Sequence, residues 1–153
     1  MASDLNIRNK KASFQYEFIE KLIAGVQLYG TEIKSIRQGK ASLVDGYCIF
    51  IEGELFIKMH ITEYSHGGHY NHEPNRERKL LLKASELNRL EKKVKNTGLT
   101  IVPIRLFLTD KGWVKIEIAL ARGKKMGDKR EDLKQKDAKR EMDTMKKIKN
   151  NYS

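Results

Sequence analysis

Apolar and polar residues alternate with a period of two along much of the chain, which is the spacing of β-strands. In residues 114–120, VKIEIAL, the apolar side chains fall on one face and Lys115 and Glu117 on the other, which predicts a half-buried strand. The turn sequence Asp110-Lys111-Gly112 precedes this strand, so we predict a β-hairpin with a glycine-containing turn. The other strand of that hairpin is indicated by three alternating apolar residues: Ile104, Leu106 and Leu108.

A second hairpin is predicted where two apolar runs, CIFI at 48–51 and ELFI at 54–57, flank Glu52-Gly53. A further strand near the start is indicated by three alternating aromatic residues: Phe14, Tyr16 and Phe18. Several short strands of this kind bury their apolar faces by closing into a barrel or a sandwich. The body of the chain is therefore predicted to be mainly β.

Two segments instead have helical spacing. Leu87, Leu90 and Val94 form an apolar stripe, with Ser85 as the expected N-cap and Gly98 as the C-terminal stop. A shorter helix is predicted over residues 31–38 from four features: a possible cap at Thr31, inward-facing Ile33 and Ile36, and a terminating Gly39. The fold should thus contain two or three short helices.

Length and charge divide the chain. Its 153 residues, 39% of them hydrophobic, can build one core but not two. Residues 122–153 hold 12 Lys+Arg and 6 Asp+Glu, over half of the net charge of +11. We therefore predict a body at 1–122 and a basic tail at 123–153. The tail has little apolar surface, so we expect it to be disordered alone and helical when docked on a polyanion.

Composition also limits the compartment and the chemistry. No stretch is long and apolar enough for a membrane span, and the N-terminus has no signal-like apolar region, so we expect a cytoplasmic protein without a membrane partner. Cys48 is the only cysteine and lies in an apolar run, which favours a buried small hydrophobe over a nucleophile. No phosphate-binding loop or nucleophile elbow occurs. We predict a protein that is not an enzyme and needs no cofactor.

The histidines offer one alternative. The loop HGGHYNH at 66–72, together with His60, could form a zinc site or a nuclease-type site. A glycine-rich loop lacks the rigid spacing that a metal needs, and no cysteine pair accompanies it. We expect a solvated loop and no metal, and we keep a metal-dependent nuclease as the rival enzyme hypothesis.

Basic residues carry a stronger signal. Arg76, Arg78 and Lys79 are expected in a loop before the apolar residues 80–82, with their charged ends projecting. Further cations precede the first strand or lie on the short helix: Lys10, Lys11, Lys34 and Arg37. Such clusters bind phosphates and favour a nucleic-acid partner over a merely solvated face. They do not choose between RNA and DNA, so a barrel that binds single-stranded DNA stays open.

Four strings are more specific than these statistics. They are Asn9-Lys10-Lys11-Ala12, the run 30–39 (GTEIKSIRQG), the run 74–82 (PNRERKLLL), and Gly123-Lys124-Lys125 followed by Asp128-Lys129-Arg130. In order, spacing and total length they closely resemble the small protein B (SmpB) family. The resemblance implies an oligonucleotide-binding (OB) type closed antiparallel barrel that binds the tRNA-like domain of tmRNA during trans-translation. The barrel would replace the missing anticodon arm, by tRNA mimicry.

The resemblance and the charge pattern together assign residues to two partners. For tmRNA they are Lys10, Lys11, Gly25, Lys34, Arg37, Arg76, Arg78, Lys79, Leu82 and Lys83. For the 16S rRNA of the decoding centre and the empty mRNA channel they are the tail residues Gly123, Lys124, Lys125, Asp128, Lys129, Arg130, Met142 and Met145. The resemblance also implies one protein molecule per tmRNA, and elongation factor Tu as an indirect partner through alanyl-tmRNA.

Some positions depart from the family pattern. Ile23 stands where most relatives have a glutamate, Lys83 where many have His or Asn, and Gly127 where a His or Tyr ring is common. Asp45-Gly46-Tyr47 replaces the more usual Asp-Ser-Tyr. We expect these changes to alter contact details more than the overall role.

Overall fold

The computed structural model describes residues 5–124. The predicted tail from Lys125 onward, including Asp128, Lys129, Arg130, Met142 and Met145, lies outside these residues, so its order and its helix remain predictions. The described part contains seven strands: β1 (Asn6–Arg8), β2 (Tyr16–Val26), β3 (Ala41–Ile51), β4 (Glu54–Ile61), β5 (Glu77–Leu81), β6 (Thr100–Leu108) and β7 (Val114–Gly123). Its helices are α1 (Ala12–Gln15), α2 (Gly30–Arg37) and α3 (Ala84–Thr97), with a 3-10 turn at Gly68–Tyr70.

The strands form one antiparallel sheet in the order β1-β6-β7-β2-β5-β4-β3. The two ends of this sheet meet because β3 packs against β6 and β1. The result is a nearly closed barrel with three α-helices, which confirms the predicted mainly β barrel. No helix within residues 5–124 has the length and apolar character needed to cross a membrane.

The period of two reflects the two faces of the barrel wall. In β7, Val114, Ile116, Ile118 and Leu120 are buried in the core, while Lys115 and Glu117 are half-buried on the outside. Burying each such apolar side chain stabilises the fold by about 1.5–3 kcal/mol relative to its exposure. The predicted strand is confirmed.

Both predicted hairpins are present. β3 and β4 pair across Glu52-Gly53, whose φ angles of 50° and 80° match the mirror-image turn that suits twisted strands. β6 and β7 pair across a turn in which Gly112 has a φ of 85°. Glycine adopts this conformation without the steric cost that a side chain would add.

One face assignment in β6 was wrong. The register shifts between Pro103 and Arg105, so the strand changes face there. Ile104 packs with Val102 and Ala119 in a second cluster, whereas Leu106 lies in the main core. A proline without an N–H is tolerated at such a bulge, and this local break explains why simple alternation failed.

Two of the predicted element starts also differ. Phe14 lies in α1 and not in a strand, because residues 12–15 form a helical turn after Asn9 and β2 begins only at Tyr16. α3 begins at Ala84, before the expected cap Ser85, because Glu86 accepts a hydrogen bond from the Lys83 N–H over 3.0 Å.

The short helix was predicted within one residue of its bounds. α2 begins at Gly30, so Thr31 lies in the first turn and is not the cap. Glu32 instead accepts the Tyr29 N–H over 2.8 Å. Ile36 is fully buried as expected, while Ile33 is only half-buried.

Candidate nucleic-acid interface

A groove of about 580 Å³ lies on the outer face of the barrel, between β2, β5 and the start of α3. Its floor is the pairing of Gly25 with Leu81. A Cβ atom at Gly25 would lie 3.4 Å from Leu81 Cβ and 3.6 Å from Lys115 Nζ. The missing side chain therefore leaves the floor open to a ligand.

The groove joins an apolar surface to several cations. Leu81, which is 52% exposed, lies on its floor, and Ile23 and Leu82 extend the apolar part. Three lysines line it, Lys79, Lys83 and Lys115, and they outnumber its two carboxylates, Glu54 and Glu86. This combination fits a nucleotide, whose phosphate meets a cation while its sugar and base meet apolar groups.

Lys79 is the only one of these lysines with an ion pair among the described residues, to Glu54 at 3.6 Å. Both of these side chains are more than a third exposed, so the pair contributes little and leaves Lys79 available to a phosphate.

The structure thus brings together four of the predicted tmRNA-binding residues: Gly25, Lys79, Leu82 and Lys83. Sequence reasoning did not assign Leu81 or Lys115 to this site. Strand alternation could have found both, because Leu81 follows the buried Leu80 and Lys115 lies between the buried Val114 and Ile116.

Inside the barrel, a buried carboxylate ties α2 to β5. Glu32 Oε2 accepts a hydrogen bond from Arg78 Nε over 2.6 Å, and Glu32 Oε1 accepts one from Arg76 Nη2 over 2.6 Å. Arg78 also donates to the carbonyls of Met59 and Pro74. One glutamate therefore fixes the positions of two arginines that come just before the groove residue Lys79 in the sequence.

Glu32 is held in its charged form. Burial alone would raise its pKa, but hydrogen bonds from Arg76, the Tyr29 N–H and Arg78, together with the charge of Arg78, outweigh burial and lower the pKa below its ordinary value. Burial lowers the pKa of Arg78, and Glu32 acts against that shift. The ordinary pKa of arginine lies so far above neutral pH that the Arg78 guanidinium remains charged.

The expectation that the charged end of Arg78 projects from a loop was wrong. Arg78 lies in β5, and its side chain is fully buried. It points inward because residues two apart in a strand share a face, and Leu80 on that face is buried. Arg76 lies in the turn before β5 and is 27% exposed, while Lys79 points outward from the strand.

The remaining predicted cations do not line this groove. Lys34 and Arg37 are exposed on α2, where Lys34 Nζ lies 5.2 Å from the centre of the Tyr64 ring. Lys10 and Lys11 are exposed before α1, and Lys11 lines a separate polar groove with Asp45 and Tyr47. Of the predicted tail, Gly123 ends β7, and the Lys124 N–H donates to the Gln15 carbonyl.

The histidines of the described chain do not converge. Within residues 5–124 there is no group of three or more His, Cys, Asp or Glu side chains that could hold a metal ion. His72 is not solvated as we expected: it is buried, with Nδ1 2.9 Å from Thr31 Oγ1 and Nε2 2.9 Å from the Ile61 carbonyl. It therefore joins α2 to β4. Cys48 is buried as predicted, and burial raises the pKa of its thiol.

A small antiparallel barrel with a basic groove on its outer face is typical of the nucleic-acid-binding barrels. The model of the SmpB protein family matches residues 6–148 of this chain. This match covers most of the sequence, so the chain belongs to the SmpB family.

Individual relatives agree with this assignment. An SsrA-binding protein of Phocaeicola vulgatus is 61% identical over 142 residues, covering 92% of this chain and 95% of the relative. An SsrA-binding protein of Flavobacterium johnsoniae is 51% identical over 151 residues, covering 98% and 100%. A solved structure described as "tmRNA-SmpB: a journey to the center of the bacterial ribosome" superimposes with a TM-score of 0.67 at 38% identity, covering 84% of this chain and 94% of that chain.

Proposed function

We propose that this chain binds the tRNA-like domain of tmRNA and acts in trans-translation, the rescue of stalled bacterial ribosomes. Its relatives are SsrA-binding proteins, and the solved structure that it resembles is of tmRNA–SmpB. The observation in the molecule that carries the proposal is the convergence of Gly25, Lys79, Leu82 and Lys83 on one groove.

The groove would hold a folded RNA by phosphate contacts and by shape. Lys79, Lys83 and Lys115 would neutralise phosphates, while the open floor at Gly25 would let the RNA approach the sheet. Ile23 contributes exposed apolar surface beside these cations. The protein would act as an adaptor and not as an enzyme.

Lys10, Lys11, Lys34 and Arg37 would contribute attraction from other parts of the surface, because exposed cations act on a polyanion over about 8 Å at physiological salt. Arg76 would contact the RNA directly. Arg78 would act indirectly, since its guanidinium donates to Glu32 and to backbone carbonyls and its side chain is fully buried.

The tail, residues 123–153, would serve the ribosome. Its 11 Lys+Arg would draw it to rRNA at the decoding centre, and in the empty mRNA channel it would become helical. Because message and tail compete for the same volume, only a vacant channel would admit it. We further propose that one copy binds each tmRNA in the cytoplasm, and that elongation factor Tu joins through alanyl-tmRNA.

Competition binding tests the proposal. The full chain should prefer the tRNA-like domain of tmRNA over an unstructured DNA oligomer of equal charge at moderate salt. A preference for the oligomer would favour a single-strand DNA-binding barrel. Stoichiometric zinc, or RNA cleavage that is lost in His66→Ala with His69→Ala, would favour the rival nuclease.

A further inference from the structure

A second exposed feature lies where the chain leaves β2 and enters α2. We propose that Tyr29, with Arg76 packed on one face of its ring, forms a stacking platform for an unpaired base of the bound RNA. The proposal rests on the proposed function, because it names a further contact of the same RNA.

The geometry leaves the ring available to a ligand. The guanidinium carbon of Arg76 lies 4.1 Å from the centre of the Tyr29 ring, and Tyr29 is 57% exposed. Within residues 5–124 no second cation or aromatic ring lies over it. One face is therefore occupied by a cation, and a large part of the ring meets solvent.

Both members of the pair are held by one group. Glu32 Oε1 accepts hydrogen bonds from Arg76 Nη2 at 2.6 Å and from the Tyr29 N–H at 2.8 Å. Arg76 Nη1 also donates to the Glu77 carbonyl at 3.2 Å. A base that stacks here would lose little free energy to ordering of the protein, because the Tyr29 backbone and the Arg76 guanidinium are already restrained.

The charge of the network points to a phosphate-bearing ligand. Glu32 carries one negative charge and binds two guanidinium groups, so the trio has a net charge of +1. Arg78 and Glu32 are fully buried, and Arg76 is the member that reaches solvent. The neighbouring carboxylates of Glu73 and Glu77 are exposed and screened by water and salt.

A flat ring beside a surplus cation matches a nucleotide, which offers a π face and a phosphate together. An acidic peptide would use the cation but not the ring. The platform follows the groove along the chain: Gly25 pairs with Leu81, and the Gln27 N–H donates to the Lys79 carbonyl over 2.9 Å. Tyr29 follows four residues after Gly25, at most ~14 Å along an extended chain.

Three substitutions at Tyr29 in the full chain separate stacking from packing. Tyr29→Phe keeps the aromatic face. Tyr29→Leu keeps apolar bulk against Arg76 but has no aromatic face, and Tyr29→Ala removes both. All three retain the backbone N–H that bonds to Glu32. For each variant, we would measure affinity for the tRNA-like domain of tmRNA at several salt concentrations, and the thermal midpoint of the free protein.

We expect Tyr29→Phe to bind like the parent chain. Tyr29→Leu and Tyr29→Ala should bind about 5- to 150-fold more weakly, the loss that corresponds to one stacked base. The slope of log affinity against log salt should stay unchanged, because no phosphate contact is removed. Their thermal midpoints should stay close to that of the parent.

Parent-like binding by Tyr29→Leu would overturn the platform, as would a loss of affinity that follows a loss of thermal stability. Either result would leave the groove and the proposed function standing. If instead the parent chain itself showed no preference for the tRNA-like domain, the proposed function would fail and this proposal with it.

Discussion

Glu32 and Arg78 form an ion pair without access to solvent: Oε2 of Glu32 lies 2.6 Å from Nε of Arg78, and both side chains are fully buried. The two residues are 46 positions apart in the sequence. The pair fixes the start of α2 against β5, and β5 carries Lys79 and Leu81 of the groove.

Removing the carboxylate should destabilise the barrel strongly. In Glu32→Gln, the Arg78 guanidinium stays buried without a counterion. We therefore expect the free energy of unfolding, measured in urea, to fall by about 3 kcal/mol. Glu17→Gln is the matched control, because Glu17 pairs with Arg122 at 3.5 Å on the surface, where both side chains are 61% exposed. Its cost should stay below about 1 kcal/mol. Equal losses in the two variants would mean that burial adds nothing to the pair.

The same carboxylate should make stability depend on pH. The pKa of Glu32 is lower in the folded protein than in the unfolded chain, so the unfolded chain takes up a proton first as the pH falls. The contribution of Glu32 is therefore complete above the ordinary glutamate pKa and is lost as the pH drops through the lowered value. Urea midpoints between pH 7 and pH 3 should fall less steeply for Glu32→Gln than for the parent; parallel curves would contradict this assignment.

The open floor at Gly25 should control RNA binding more than folding. Gly25→Ala adds one methyl at ordinary contact distance from Leu81, so we expect a small effect. Gly25→Leu fills the groove and should weaken binding of the tRNA-like domain at least about tenfold, or 1.4 kcal/mol. Titrations by fluorescence anisotropy give both values, and undiminished binding by Gly25→Leu would exclude the groove as the RNA site.

The lysines of the groove should define the salt dependence. Lys83→Gln and Lys115→Gln each remove one phosphate contact, so each should reduce the slope of log affinity against log salt by about one. Lys95→Gln is the control, since this side chain is 70% exposed on α3 and pairs with Glu91. A slope that changes in Lys95→Gln but not in the groove variants would place the RNA on another face.

Much of the barrel could be predicted because each strand buries one face, and alternation records that burial. The hairpins at Glu52-Gly53 and Gly112 were visible for the same local reason. Alternation failed at Ile104, where a bulge reverses the faces of β6. A bulge depends on the partner strand and has no clear pattern of its own in the sequence.

The site was predicted only in part, because charged residues were expected at the surface. Arg78 lies on the same buried face of β5 as Leu80. An arginine can be buried only with a charged or polar partner. That partner, Glu32, lies far away in the sequence, so the burial of Arg78 was not predicted. The contact between Arg76 and Tyr29 was not predicted for the same reason: the two residues are far apart in the sequence. The basic strings favoured the nucleic-acid partner that the proposed function names, while the position of each cation required the fold.

The division between body and tail is tested most directly by stopping the chain after Lys124 and measuring two activities side by side. The account predicts that affinity for tmRNA stays within about threefold of the full chain, or 0.6 kcal/mol, because the groove lies in the barrel. Tagging of peptides on stalled ribosomes should be abolished. Equal loss of RNA binding and tagging, with the barrel still folded, would contradict the account.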